Sequence, residues 1–213
     1  MRRIEFANGE FYHIYNRGVD HRQITLNQDD SNRFIESLRL FNTASPLGGI
    51  YEASFLEQSN LLKFKDPLVD IISYCLNPNH FHLCLCQRRK NGISEFLKNV
   101  SGGYSRYFNK THKRTGALFE GRYKIKHISN NNYLLHINSY INLNYKVHGF
   151  YGDILKLVRS SWIEYISDSD GICTKGIIEK QFGLGEYEKF ALDNLKYMRE
   201  MRGVYAELKD LLF

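Results

Sequence analysis

Two histidines separated by one bulky apolar residue, His80-Phe81-His82, open an apolar run, and sixty residues later comes Tyr140-Ile-Asn-Leu-Asn144 with helical character. In an extended strand side chains alternate between faces, so His80 and His82 project together while Phe81 turns into the core. Their Cα atoms would stand roughly 6.6 Å apart, near enough for both imidazoles to converge on one ion with bonds of about 2 Å. On a helix, positions i and i+4 share a face, which brings Tyr140 and Asn144 to the same side. Two imidazoles, a neutral carboxamide oxygen and open positions suit a divalent ion that must also accept phosphate oxygens. Mg²⁺ or Mn²⁺ fits that description better than a closed zinc site. The phenol of Tyr140 is then the candidate nucleophile, and His136, one helical turn earlier, a candidate to assist it.

Read singly, these residues have ordinary explanations: strand histidines, a buried ring and a helix-terminal amide. It is their conjunction that favours a site. His80, His82, Cys84 and Cys86 also alternate as H-x-H-x-C-x-C, but His80 and Cys86 would lie about 20 Å apart along one strand, too far to share an ion. Cys84 and Cys86 therefore read as small buried strand residues. His13, in Tyr12-His13-Ile14-Tyr15, is a possible neighbour of the paired histidines and no assigned ligand.

The charge distribution points to a polyanion. The net charge is +6, yet Arg88 to Lys126 alone holds eleven Lys/Arg against two acids, a local +9 that leaves −3 elsewhere. Cations interleaved with Tyr104, Tyr107, Phe108, Phe119 and Tyr123 suit nucleic acid, whose phosphates meet charge and whose unpaired bases stack on rings. The competing reading is a solvated basic face over an aromatic core, since Tyr104, Tyr107 and Phe108 continue the helical spacing of Ile93, Phe96, Leu97 and Val100. The candidate nucleic-acid contacts are Arg17, Arg106, Lys110, Lys113, Arg114, Arg122, Lys124 and Lys126. Arg122, Lys124 and Lys126 would form a stripe along one strand face.

The elements that must position these groups follow from pattern. Phe11 to Tyr15 predicts a strand, Asp29-Asp30-Ser31 supplies N-cap choices for a helix carrying Phe34, Ile35, Leu38 and Phe41, and residues 43–66 read as irregular. Leu68 to Leu76 and Phe81 to Gln87 form a hairpin about Asn77-Pro78-Asn79. A helix over 93–109, weakened by Gly102-Gly103, a strand over 117–128 and a helix over 131–145 complete the order. The expected class is α+β: a ferredoxin-like βαββαβ antiparallel sheet with helices on one face, plus a C-terminal helical extension. The expected division is residues 1–150 as the domain carrying these groups and 151–213 as a C-terminal tail and helical extension. Within that tail Phe190, Leu192, Leu195, Met198 and Met201 mark an amphipathic helix interrupted at Gly203. With no stretch approaching the roughly 20 apolar residues of a bilayer span and no signal-peptide pattern, a cytoplasmic protein without a membrane partner is expected. The four cysteines read as reduced thiols.

Four ordered blocks carry a family resemblance: Tyr12-His13-Ile14-Tyr15-Asn16-Arg17-Gly18, Asn77-Pro78-Asn79-His80-Phe81-His82-Leu83, the Gly116 to Lys124 segment, and Tyr140-Ile-Asn-Leu-Asn144. Together with Ser160-Ser161-Trp162 they resemble the REP-associated tyrosine transposases, HUH single-strand DNA nucleases related to the peel-and-paste insertion-sequence transposases. The resemblance implies a ferredoxin-like fold and a divalent metal, Mg²⁺ or Mn²⁺, held by His80, His82 and Asn144. It implies attack by Tyr140 to give a 5′-phosphotyrosine and a free 3′-hydroxyl, and single-stranded DNA with a REP-like hairpin as partner. A homodimer is possible, because in the wider family the tyrosine acts either in its own subunit or in a partner's. Tyr145 stands where the family usually has proline. The alternative function is a domesticated nucleic-acid-binding protein of the same fold that no longer transposes. An RNA-binding ferredoxin-like module ranks last, since its aromatic strand signature is absent.

Overall fold

The computed structural model describes residues 5–44, 66–167 and 169–210, so most of the stretch expected to be irregular over 43–66 lies outside the described residues. Strands β1 (Phe11–Arg17), β2 (Val69–Leu76), β3 (His80–Gln87) and β4 (Lys124–Ile128) build an antiparallel sheet in the order β4-β1-β3-β2. A two-residue strand β5 (Arg159–Ser160) pairs with the outer edge of β2. Helix α1 (Gln28–Leu40) lies between β1 and β2 in sequence, and α2 (Gly92–Thr111) between β3 and β4, giving the βαββαβ order with β1 and β3 central.

Strand alternation divides the core in two. Tyr12 and Ile14 of β1 and Phe81, Leu83 and Leu85 of β3 form one face, packed with Phe34 and Leu38 of α1 and Phe96, Val100 and Tyr104 of α2. The two crossover helices thus share a face. On the opposite face Ile72, Cys75, Cys84, Cys86 and Ile128 meet α3 (Asn131–Asn142) and α7 (Glu186–Asp210). Between those helices come α4 (Asn144–Val147), α5 (Trp162–Ile166) and α6 (Gly176–Glu179). Both faces of a sheet so covered read as near-continuous apolar runs, as in His80–Gln87, where every residue after His80 is buried. Gly102-Gly103 does not break α2: a Cβ at Gly103 would stand 3.0 Å from the Phe41 ring, so the glycine permits α2 to approach α1's end.

Several boundaries differ from the sequence expectation. The cap of α1 is Asn27, whose side chain accepts from the Asp30 N–H at 2.9 Å, and Asp30 is instead buried inside the first turn. Its carboxylate accepts from the Leu26 N–H at 2.8 Å and lies 3.0 Å from His112 Nε2. Only Lys124–Ile128 of the 117–128 stretch is strand, because Gly116 and Gly121 sit at positive φ (82° and 62°) and turn the chain. The helix expected over 131–145 stops at Asn142: Leu143 leaves helical geometry at φ −107°, ψ 12°, and Asn144 opens α4. Helix α7 runs through Gly203 rather than being interrupted there, and among its described side chains Tyr187, Ala191 and Leu195 are buried, with Leu192 exposed. Among the described residues no helix is long and apolar enough to cross a membrane.

The start of α3 is set by one side chain. Asn130 accepts from the Tyr133 N–H at 2.8 Å, satisfying one of the otherwise unpaired first-turn donors. Asn130→Ala is expected to cost about 1 kcal/mol. The check is the shift in denaturant midpoint, with Asn130→Asp retaining most of the stability.

Candidate active site

The hairpin turn and the β1–β3 register place the histidines. The Asn77 N–H donates to the His80 carbonyl at 2.8 Å, closing the turn, and the Pro78 and Asn79 carbonyls accept from Ile24 and Gly18 at 2.6 and 2.8 Å. His80 and His82 emerge on the α3 face, as strand alternation requires, while Phe81 enters the opposite core. Across the ladder Tyr15 faces His82, and their rings stack at 5.4 Å; His13, two residues earlier, places Nε2 2.8 Å from His82 Nδ1. His13 is buried, and its Nδ1 has no hydrogen-bond partner among the described residues.

Helix α3 brings Tyr140 down onto this cluster within the same chain. Its ring stands edge-on to His82 at 5.5 Å and to His13 at 6.1 Å between centroids. Past the break at Leu143, Asn144 is fully buried and its Oδ1 lies 3.1 Å from His80 Nε2. His80, His82, Tyr140 and Tyr15 line a cavity of about 550 Å³ that also includes Arg17, Lys124, His148 and Arg202. The helix break at Leu143 therefore does not separate the phenol from the carboxamide; it turns Asn144 inward toward β3.

The donor set can be tested for a divalent ion from its chemistry. His80 Nδ1 lies 2.7 Å from Asn79 Oδ1, an oxygen that only accepts; the proton is therefore on Nδ1 and the Nε2 lone pair faces Asn144. Two cis donors around an ion with bonds of about 2.1 Å are separated by about 3.0 Å, which matches the 3.1 Å between His80 Nε2 and Asn144 Oδ1. For His82, the tautomer that donates from Nδ1 to His13 frees the Nε2 lone pair. Burial holds all four imidazoles of the region neutral at pH 7. It lowers His13 to about 4, with help from Lys126, and His148 to about 3, with help from His80 and Arg202. His82 is pushed well down and His80 down by the same cause. Neutral imidazoles are the ligating form. Among the described residues no group of three His, Cys, Asp or Glu gathers at one point, so the fit rests on imidazole and carboxamide donors together.

Burial pushes the Tyr140 phenol up, opposed by the Asn144 carboxamide and the Arg202 guanidinium. Arg202 arrives on α7, with Nη1 donating to the Val147 carbonyl at 2.8 Å. The C-terminal helix thus packs on α3 and α4 and also supplies a cation to the cavity wall.

The remaining expected residues are scattered differently. His136 is exposed, its ring 5.5 Å from Phe190 of α7, and it does not line the cavity. Lys124 and Lys126 pair with Tyr15 and His13 across β1 and so rise on the histidine face, whereas Arg122 precedes the strand. Arg17 is ion-paired with Glu120. Arg106, Lys110 and Lys113 are exposed on or just beyond α2, which covers the other face of the sheet. Arg114 donates to Asn109 Oδ1 at 2.8 Å and lies over the Phe108 ring. Sequence reasoning left His148, Arg202 and the Asn77 side chain without a role. Cys75, Cys84 and Cys86 are buried free thiols, with the Cys75 thiol pushed up to about 12 and Cys86 to about 11.

Residues 59–144 match a family model described as "Transposase IS200 like". Among solved structures, that of a REP-associated tyrosine transposase bound to a REP hairpin is similar over 87% of this chain and 96% of its own, with a TM-score of 0.50 and 13% identity. A candidate transposase from Deinococcus radiodurans R1 aligns over 66% of this chain and 95% of its own, at 15% identity and a TM-score of 0.38. No curated protein sequence matches.

Proposed function

We propose that this chain, whose residues 59–144 match the model described as "Transposase IS200 like", is a metal-dependent single-strand DNA endonuclease and strand transferase that works through Tyr140. The observation that carries the reading is the Tyr140 ring 5.5 Å from His82 in the same chain, in one cavity with His80. His80, His82 and Asn144 would hold Mg²⁺ or Mn²⁺, which supplies charge withdrawal from a non-bridging phosphate oxygen and a fixed orientation of the phosphorus.

The chain's own groups do the rest. Tyr140 Oη forms the new bond to phosphorus in line with the scissile P–O3′ bond, which breaks; the phenol proton leaves through the open cavity, and the departing 3′-oxygen takes one up as a hydroxyl. The product is a 5′-phosphotyrosine whose retained ester energy allows rejoining without a nucleotide cofactor. Lys124 and Arg202, both lining the cavity, are placed to meet phosphate oxygens flanking that bond. Because burial raises the phenol, adduct formation should accelerate as pH rises from 6 toward 9. A hairpin-bearing DNA is the proposed substrate, and the REP hairpin bound in the similar structure of a REP-associated tyrosine transposase supports it.

The test is incubation of a 3′-labelled hairpin oligonucleotide with the protein and Mn²⁺, followed by a denaturing gel. A protein–DNA adduct that disappears with chelator is expected. Tight binding with no adduct under any metal would replace this reading with a nucleic-acid binder of the same fold.

A further inference from the structure

We propose that Asn77, so far a turn residue, is a further ligand of the divalent ion; this rests on the metal-dependent reading above. The Asn77 side chain is fully buried beneath the hairpin, in a place where a turn asparagine is ordinarily solvated. As oriented, its Nδ2 donates to Asn144 Oδ1 at 2.6 Å and stands 2.9 Å from His80 Nε2. Among the described residues its Oδ1 faces only the Cys75 thiol, a weak donor, at 3.7 Å.

Three polar atoms therefore form a triangle with sides of 2.6, 2.9 and 3.1 Å. Three donors on one face of an octahedral ion with bonds of about 2.1 Å are spaced by about 3.0 Å. Two of the three, the His80 imidazole and the Asn144 oxygen, are the expected ligands. The third corner is held by the Asn77 amide nitrogen, which faces both of these atoms. A half-turn of the carboxamide exchanges its nitrogen and oxygen with almost no displacement of other atoms. Oδ1 then completes a facial set of hard and imidazole donors, while Nδ2 passes to the Cys75 side, where the sulfur is a weak acceptor. In one orientation the amide donates to the two expected ligands, and in the other its oxygen joins them.

Mn²⁺ affinity, read from the free-ion electron paramagnetic resonance signal on the full chain without DNA, tests this apart from any cleavage. Wild type that binds no Mn²⁺ would remove the metal reading itself. Given wild-type binding, Asn77→Leu, which keeps bulk but offers no oxygen, is expected to bind at least fivefold more weakly. Asn77→Asp, which presents oxygen in either orientation, is expected to bind more tightly than Asn77→Leu. A smaller loss in Asn77→Leu, or an aspartate variant no better than leucine, overturns the assignment. A readout needing no variant is the Asn77 side-chain NH₂ pair in a ¹H–¹⁵N spectrum. Saturating Mg²⁺ should shift it as its bonds to His80 and Asn144 are lost, and an unmoved pair refutes ligation.

Discussion

Tyr140→Phe is expected to reduce adduct formation at least about 10³-fold, to background, while leaving the fold and DNA binding in place. The substitution removes one oxygen and keeps the ring, so the edge-on contacts with His82 and His13 survive. Among the described residues no second phenol is equivalently placed: Tyr15 also lines the cavity, but its ring stacks flat on His82 and His13 from within β1 instead of facing them from a helix. The measurement is the denaturing gel with 3′-labelled hairpin DNA, paired with a native binding assay and a thermal melt of the variant. Adduct retained above a few per cent, with the variant shown to be folded, would place the nucleophile elsewhere. Loss of binding along with the adduct would make the residue structural.

The second large effect is on stability in mild acid. In the metal-free protein His13 titrates near 4, against 6.5 for an unperturbed histidine, because burial disfavours its charged form. A depressed native value means that the unfolded chain takes up protons first as the pH falls. The contribution is intact above about 6.5, declines by about 1.4 kcal/mol per pH unit below it, and is fully lost near pH 4. For His13 alone the loss is about 2 kcal/mol by pH 5. His80, His82 and His148 are shifted in the same direction by the same cause, so the cluster acts together. Denaturant midpoints with chelator present should fall steeply between pH 6.5 and 5, above the range where carboxylates protonate. His13→Gln should flatten that slope. A midpoint independent of pH over this window would mean that the cluster is hydrated and charged in the native state.

The parts of the site that were legible in the sequence are those governed by local periodicity. Alternation in β3 is enough to put His80 and His82 on one face and Phe81 on the other, and the order of apolar runs is enough for βαββαβ. Other features depend on contacts between distant segments. His13 meets His82 only because β1 lies beside β3 in a register pairing Tyr15 with His82, and no local pattern specifies that offset. Arg202 reaches the cavity from a helix some sixty residues beyond Tyr140, through the packing of α7 on α3. His136 fails to join the cavity although it shares a helical face with Tyr140, because one turn is long enough to carry it from the site to α7. The basic run from Arg88 to Lys126 reads as one patch along the sequence. The fold divides it, leaving α2's cations behind the sheet and Lys124 and Lys126 beside the histidines.

With Tyr140 as its single nucleophile, the proposed chemistry also fixes a stoichiometry. Each polypeptide would carry just one severed DNA end at any moment, whereas releasing an internal segment and sealing its flanks involves two breaks. On the proposed chemistry, two polypeptides must meet on the same substrate, or one must discharge its first end before taking the second. Counting captured ends per polypeptide after a single turnover would tell these schedules apart.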